Sequence, residues 1–388
     1  VKSFNVVALD RPMKLNPKAP DTIEVDFERK IEMTMPEGKI FALEEEATTV
    51  ASGATPHPLT LHVNLGDCIK VNLKNKMKAS RASFFAPGLA FDPRDSQGLN
   101  VGNNGGDQTI GAGESRTYTY YAHPANKETT SLVWDGGNIV VNPRNGLYGA
   151  IVVGPRGSQY RDPVTGADVS QKNTWRADVI VDTSFTENAG KRNYRDVALF
   201  FQDEDNIIGT AFMPYVQNVA GLTSVNYRAE PYKFREEQGC SIGKIFQPCA
   251  VDKPEDPVTP LIEAHAGDAV RIHVIGANSE QNGMFAVEGH EWPIEPYMPG
   301  ADQISVVEYA GSETLDVFLR GGAGGPYRQV GDFVWSNARL PYTQSGQWGY
   351  LRVLPAGDSR IQPLGTHGMG AKQAEVEPAV KAIPTAMK

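Results

Sequence analysis

At 388 residues the chain is long enough for two domains with separate cores, and 39 glycines, 27 prolines and 9 % aromatic residues favour short strands and turns over helical packing. The formal charge of −9 comes from 46 acids and 37 bases spread along the chain, with no basic run able to displace phosphate counterions, so nucleic acid is not an expected partner. No apolar run approaches the ~20 residues that a membrane-spanning helix needs. The opening VKSFNVVALDRP lacks the charged-then-apolar plan of a signal peptide, and the missing initiator Met suggests a processed start.

In chain order, Val1 to about Ala51 carries apolar residues at alternate positions with Pro and Gly between the runs, which predicts the first strands of a sandwich. HPLTLHVNLGDCIKVNLKNKM, His57 to Met77, predicts two strands about a Gly66-Asp67 turn. His62, alternating with Leu61 and Val63, is expected on a solvent or edge face. Cys68 reads as a small buried apolar side chain. SFFAPGLAFD, the loop PRDSQGLNVGNNGGDQ, the strand GESRTYTYYAHP and SLVWDGGNIVVNPRNGLYGAIVV follow.

Landmarks then recur about 200 residues later and in the same order. Gly66-Asp67 returns as Gly267-Asp268, Ala112-Gly113 as Ala310-Gly311, Trp134 as Trp335, and Gly146 to Gly149 as Gly346 to Gly349. Collinear recurrence predicts two copies of one β domain, assigned to residues 1–160 and 161–356. The second copy carries an insertion from Met213 to about Pro257 that holds Cys240 and Cys249. These two cysteines bracket a short loop in which Gly243 and Pro248 permit the bend of a disulfide. A bridge and a trimmed start together predict an extracytoplasmic location, periplasmic, secreted or at the cell surface.

Residues 357–388 contain too few large apolar side chains to build a core. The segment is expected to order by lying on its own body, a neighbouring copy or another subunit.

With these motifs placed, the chain resembles the cupredoxin domains of multicopper oxidases, in particular the manganese-oxidase-like bacterial branch. SFFAPGLAFDP, SLVWDGGNIVVNPRNGLYGAIVV, FFQDEDNIIGT, VNYRAEPYKFR, FAVEGHEWPIEP and GDFVWSNARLPYTQSGQWGYLRV carry the likeness. It covers nearly all of the chain before the tail. It implies an all-β fold of two tandem cupredoxin-like Greek-key sandwiches followed by an extended C-terminal tail.

The resemblance also implies where copper ligands would stand, and here the residue types depart from the family. The His-Cys-His-x3-His-x4-Met loop maps onto Ser336, Asn337, Ala338, Tyr342 and Gln347. The first His-x-His-Gly maps onto Phe85, Ala86 and Pro87 before Gly88. The second His-x-His maps onto Asp135 and Gly137, or on the alternative count Gly136 and Asn138. Blue copper needs a thiolate with imidazoles, and a trinuclear centre needs about eight histidines. The chain has seven, none in a His-x-His pair, so no metal is expected at these positions and copper is not an expected cofactor.

Other candidates are weaker. His265 and His273 lie eight residues apart, roughly 26 Å on an unbroken strand at ~3.3 Å per residue, although His290 could approach either. The loop holding Asp92, Asp95, Asn100, Asn103, Asn104 and Asp107 has oxygen donors that could wrap Ca2+, the one cofactor left open. DEDN at 203–206 reads as a solvated turn. Ser336 lacks the setting of a nucleophile elbow, and GGAGG at 321–325 lacks the lysine of a phosphate loop. No catalytic constellation is expected from the sequence.

The leading expectation is a copper-free, multicopper-oxidase-like subunit, structural or binding, of a larger assembly, contacting protein partners or further copies of itself through edge strands and the tail. An oxidase subunit whose copper is held between chains or by a partner is the alternative. A third reading is a calcium-dependent adhesive or carbohydrate-binding module, with Trp134, Trp292, Trp335 and Trp348 available to stack on sugars.

Overall fold

The computed structural model describes residues 1–26, 29–53, 55–205, 219–248 and 255–365. In the first half, a five-stranded sheet runs in the order Lys39–Leu43, Lys2–Asp10, Cys68–Asn75, Ser115–Tyr121, Ala90–Phe91. A three-stranded sheet, Thr129–Trp134, Tyr148–Gly154, Leu59–Asn64, packs across it. Their inward faces share one core, with Phe4, Val71 and Tyr118 from one sheet against Leu61, Val133 and Ile151 from the other. This is the alternation that CIKVNLKN predicts, although Cys68, the first residue of its strand, is only half-buried and carries a free thiol.

The second half repeats the plan. Strands Tyr194–Asp205 and Val270–Asn278 run parallel at the centre of one sheet, as Lys2–Asp10 and Cys68–Asn75 do in the first half. The facing sheet has five strands in the order Ile262–His265, Trp348–Leu354, Gly331–Asn337, Gly283–Val287, Val306–Tyr309. Leu199, Ile272, Phe285, Trp335 and Leu351 fill the space between them.

Hydrogen bonds show how closely the copies correspond. The Asp67 carboxylate accepts from Asn64 N at 2.8 Å, and the Asp268 carboxylate accepts from His265 N at the same distance, each closing a turn around a glycine with positive φ. Other landmarks shift by a residue. Glu114 accepts from Gly111 N as Glu313 does from Ala310 N, so Ala310 answers to Gly111 and not to Ala112. Trp134 pairs with Tyr148, whereas Trp348 pairs with Ser336, so the second-half counterpart of Trp134 is Ser336 and that of Asp135 is Asn337.

The halves are not two separate bodies. A third core joins them, where Leu132, Tyr148 and Ala150 meet Ala198, Phe200, Ile275 and Ala277. Tyr148 stacks on Phe200 with centroids 6.0 Å apart, and burying each such ring is worth roughly 1.5–3 kcal/mol. The three-stranded sheet is therefore covered on both faces, which corrects the placement of His62. That ring is 2 % exposed, packs on Tyr160 and donates from Nε2 to the Thr174 carbonyl. The hairpin Thr22–Asp26/Arg29–Glu32 also leaves the first half and extends the second half's sheet, with Ile31 beside Gly221 and Glu32 beside Leu222.

The tail begins by docking on its own chain. Gln362 N donates to the Pro163 carbonyl, Arg195 donates to the Gln362 carbonyl at 2.7 Å, and Ile361 is buried. Residues 366–388 lie outside the described residues, as do 206–218 and Cys249. Cys240 is buried in a small cluster with Ile245, Val334, Trp348 and Tyr350.

Candidate functional site

The positions that the resemblance assigns to copper ligands lie where strands of each sandwich end. In the second half, strand Gly331–Asn337 ends beside the short helix Leu340–Gln344, and Gln347 returns the chain to the sheet. Asn337 and Gln347 are both buried, and Asn337 Nδ2 donates to Gln347 Oε1 at 2.8 Å. Asn337 Oδ1 accepts from Met284 N and Arg339 N, while Gln347 Nε2 donates to the Gln202 carbonyl at 2.8 Å. Ser336 is held in the sheet between Ala286 and Trp348, Ala338 is exposed, and Tyr342 is buried under the Arg339 guanidinium. A pair of primary amides thus closes this pole. Amides of this kind offer a metal neither thiolate nor imidazole.

The first half closes differently. Asp135, fully buried, accepts from Ser83 N at 2.6 Å, from Asn138 N at 2.7 Å and from Asn142 Nδ2 at 2.8 Å. Burial raises its pKa against these donors. At Gly137 a Cβ would lie 2.5 Å from the Arg81 carbonyl carbon, and at Gly136 one would collide with Leu99 and the Gly98 carbonyl. Each alternative placement of the second histidine pair therefore includes one glycine with no room for a side chain. Phe85 is half-buried edge-on against Trp134, and Pro87 is exposed.

The three candidate histidines are not brought together, and each has both ring nitrogens engaged. His265 donates from Nε2 to the Asp358 carbonyl at 2.9 Å and turns Nδ1 toward Arg195. His290 donates from Nδ1 to the Glu288 carbonyl and accepts from Gly324 N on Nε2. His273 lies between carboxylates, with Nε2 2.7 Å from Asp196 and Nδ1 2.6 Å from Asp316. None presents a free lone pair to a metal. Among the described residues no group of three or more His, Cys, Asp or Glu side chains has metal-holding geometry.

The Asp92 to Asp107 loop also turns its oxygens to local partners. Asp107 accepts from Asn100, from the Thr109 amide and hydroxyl, and pairs with Arg81; the first two residues and then Arg81 hold its carboxyl down at about 2. Asn100 Oδ1 accepts from Gln108 N, Asp92 from Arg94 N, and Asp95 from Ser96 and Arg116, while Asn103 is exposed. The tryptophans proposed for sugar stacking are core residues: Trp292, Trp335 and Trp348 are 0–1 % exposed, and Trp134 is half-buried behind Phe85.

The densest polar chemistry lies elsewhere, between the halves. Arg271 grips Asp196 with Nε at 2.8 Å and Nη2 at 2.9 Å, and its Nη1 reaches toward Glu128 of the first half, which also pairs with Lys191. The His273 ring meets Asp196 and Asp316 and stands 2.6 Å from the Thr130 hydroxyl of the first half. Burial, and the neighbouring Arg271 cation, push the His273 pKa down, but Asp196 and Asp316 together outweigh them, so the imidazolium is favoured and the pKa is raised. Burial would likewise raise Asp196, yet Arg271 and then His273 bring it far below the usual range. With His273 charged, Arg271, His273 and Lys191 balance Asp196, Asp316 and Glu128.

The sequence shows this cluster only as RIH within the apolar run AGDAVRIHVIG. Charged residues two apart on a strand ordinarily mark a solvent face. Here that face meets the first half.

No protein-family model and no curated protein sequence matches the chain. Solved structures do. A multicopper oxidase aligns over 91 % of this chain and 88 % of its own at 16 % identity and TM-score 0.50. The blue copper oxidase from Nitrosomonas europaea aligns over 91 % and 86 % at 15 % identity and TM-score 0.52. The multicopper oxidase mgLAC aligns over 92 % and 86 % at 16 % identity and TM-score 0.53. The fold is thus all-β and cupredoxin-like, of the multicopper oxidase type.

Proposed function

We propose that the chain is a multicopper-oxidase-like protein that has given up copper chemistry at its sandwich poles and serves as a structural or binding subunit of a larger extracytoplasmic assembly. The observation that carries this reading is the donor set: an Asn337–Gln347 amide pair in one half, and in the other a buried Asp135 beside glycines too crowded for any side chain. These residues do not fit copper, so no redox step is assigned to them. Function then resides in surfaces and clefts laid over an inherited scaffold. The two sandwich units are taken as 1–160 and 161–356, with the hairpin 22–32 shared between them. The extracytoplasmic assignment rests on the proposed Cys240–Cys249 bridge.

The test is elemental analysis of chain purified without chelator, with copper, manganese and calcium quantified, alongside an oxidase assay and the solution mass. Copper below about one atom per ten chains with no oxidase activity supports the reading, since a resident site of ordinary affinity would stay loaded. Copper near one per chain overturns it in favour of a site shared between chains, to be sought by substituting His265, His273 and His290.

A further inference from the structure

We propose that the junction between the two halves holds a binding site for a small amphiphilic anion, with an apolar ring or chain as its body and one carboxylate, sulfonate or phosphate as its head. The site shares no residue with the sandwich poles and stands whether or not they bind metal. A cavity of about 560 Å3 opens there, within the range that accommodates small ligands. Its walls are apolar and partly aromatic: Leu65 and Pro124 from the first half, Tyr194, Val270, Tyr297 and Phe318 from the second. Arg271 lies behind two of these rings, 4.7 Å from the Tyr194 centroid and 5.7 Å from that of Phe318. It is locked to Asp196, so the cation behind the two rings is fixed in place.

Charge at the mouth favours an anion. Five ionisable side chains other than tyrosine line the cavity: Lys127, Glu128, Glu187, Lys191 and Arg192. Both acids are already matched, Glu128 by Lys191 and Arg271, Glu187 by Arg156. Lys127 and Arg192 have no ion-pair partner among the described residues, so the balance is positive. Lys127 also holds a φ of +58°, a conformation that a residue with a side chain seldom adopts. Ligand clamps are among the places where such strain is kept. An apolar wall gains from burying a hydrocarbon body, and two cations without partners at its edge select the charge of the head.

The experiment is calorimetric titration of the full chain with naphthalene-2-sulfonate and, separately, with the neutral naphthalene-2-methanol. One site per chain is expected, with the sulfonate bound about tenfold or more tightly than the alcohol, and with that advantage shrinking as salt is raised. A Lys127→Glu/Arg192→Glu variant should lose about tenfold for the sulfonate and leave the alcohol unchanged. Pro124→Trp, at an exposed wall position, should block both, with thermal unfolding used to show that each variant is folded. Equal affinity for the two probes, retention of sulfonate binding by the charge-reversed variant, or no saturable binding would each overturn the proposal.

Discussion

Arg271 holds both carboxylate oxygens of Asp196, at 2.8 and 2.9 Å, with neither side chain open to solvent. A buried pair of this kind contributes little net stability, yet breaking it is costly because the remaining charge is stranded. Arg271→Met should therefore destabilise the chain by about 3–5 kcal/mol in urea unfolding. The double variant Arg271→Met/Asp196→Leu should recover most of that loss. A double variant as unstable as the single one would show that packing of the guanidinium, not its charge, is what matters.

The two histidines between the halves should give pH dependences of opposite sign. His273 has a raised pKa, so its contribution is fully present below its unfolded value of about 6.5 and is lost as pH rises through the folded value. His62 is held neutral by burial, with its pKa pushed down to about 4. Its contribution is present above about 6.5 and is lost as pH falls through about 4. Urea midpoints measured across pH should show the wild-type advantage over His273→Gln shrinking on the alkaline side. The advantage over His62→Gln should shrink on the acid side.

At the second-half pole, Gln347→Leu removes the partner of Asn337 and the donor to the Gln202 carbonyl. A cost of about 1–3 kcal/mol is expected, as for any buried polar group left unsatisfied. At the other pole, Gly137→Ala should cost about 1–3 kcal/mol through the clash with the Arg81 backbone. Calorimetric unfolding reads both. A neutral result for Gly137→Ala would mean that the turn can open, and that the pole is less closed than its contacts indicate.

Arg195 joins the tail to the body through the Gln362 carbonyl, while its other nitrogens pair with Asp178 and Asp268. Arg195→Met should raise amide exchange over residues 358–365 more than in the central strands. Uniform acceleration along the whole chain would instead indicate global loss of stability.

Much of the fold was legible because strands with one solvated face carry alternation that survives in the residues. Over Cys68–Asn75 the buried positions Ile69, Val71 and Leu73 alternate with exposed or half-buried ones. The repeat was legible for a related reason, since turns such as those at Asp67 and Asp268 demand glycine next to a capping carboxylate. What failed was reading the second face of a sheet. His62, Arg271 and His273 look like outward-facing polar residues and are buried because another half of the molecule covers them. Nothing local distinguishes water from a distant segment as the neighbour. The amide pair was legible as an absence of ligands at Asn337 and Gln347, but not as a contact between the two. Loop donors such as Asp107 and Asn100 likewise gave no sign that Arg81 and Thr109 would claim them.

The loan of the hairpin 22–32 to the second half's sheet bears on the order of events during synthesis. Its partner strand, Gly221–Val225, leaves the ribosome almost 200 residues later. Pairing across such a sequence separation is slow. The first half must wait with that hairpin uncommitted, and the second half cannot complete its sheet without it. Severed near residue 160, the two pieces should therefore fold poorly apart and recover only when mixed, as complementing fragments of one cooperative unit.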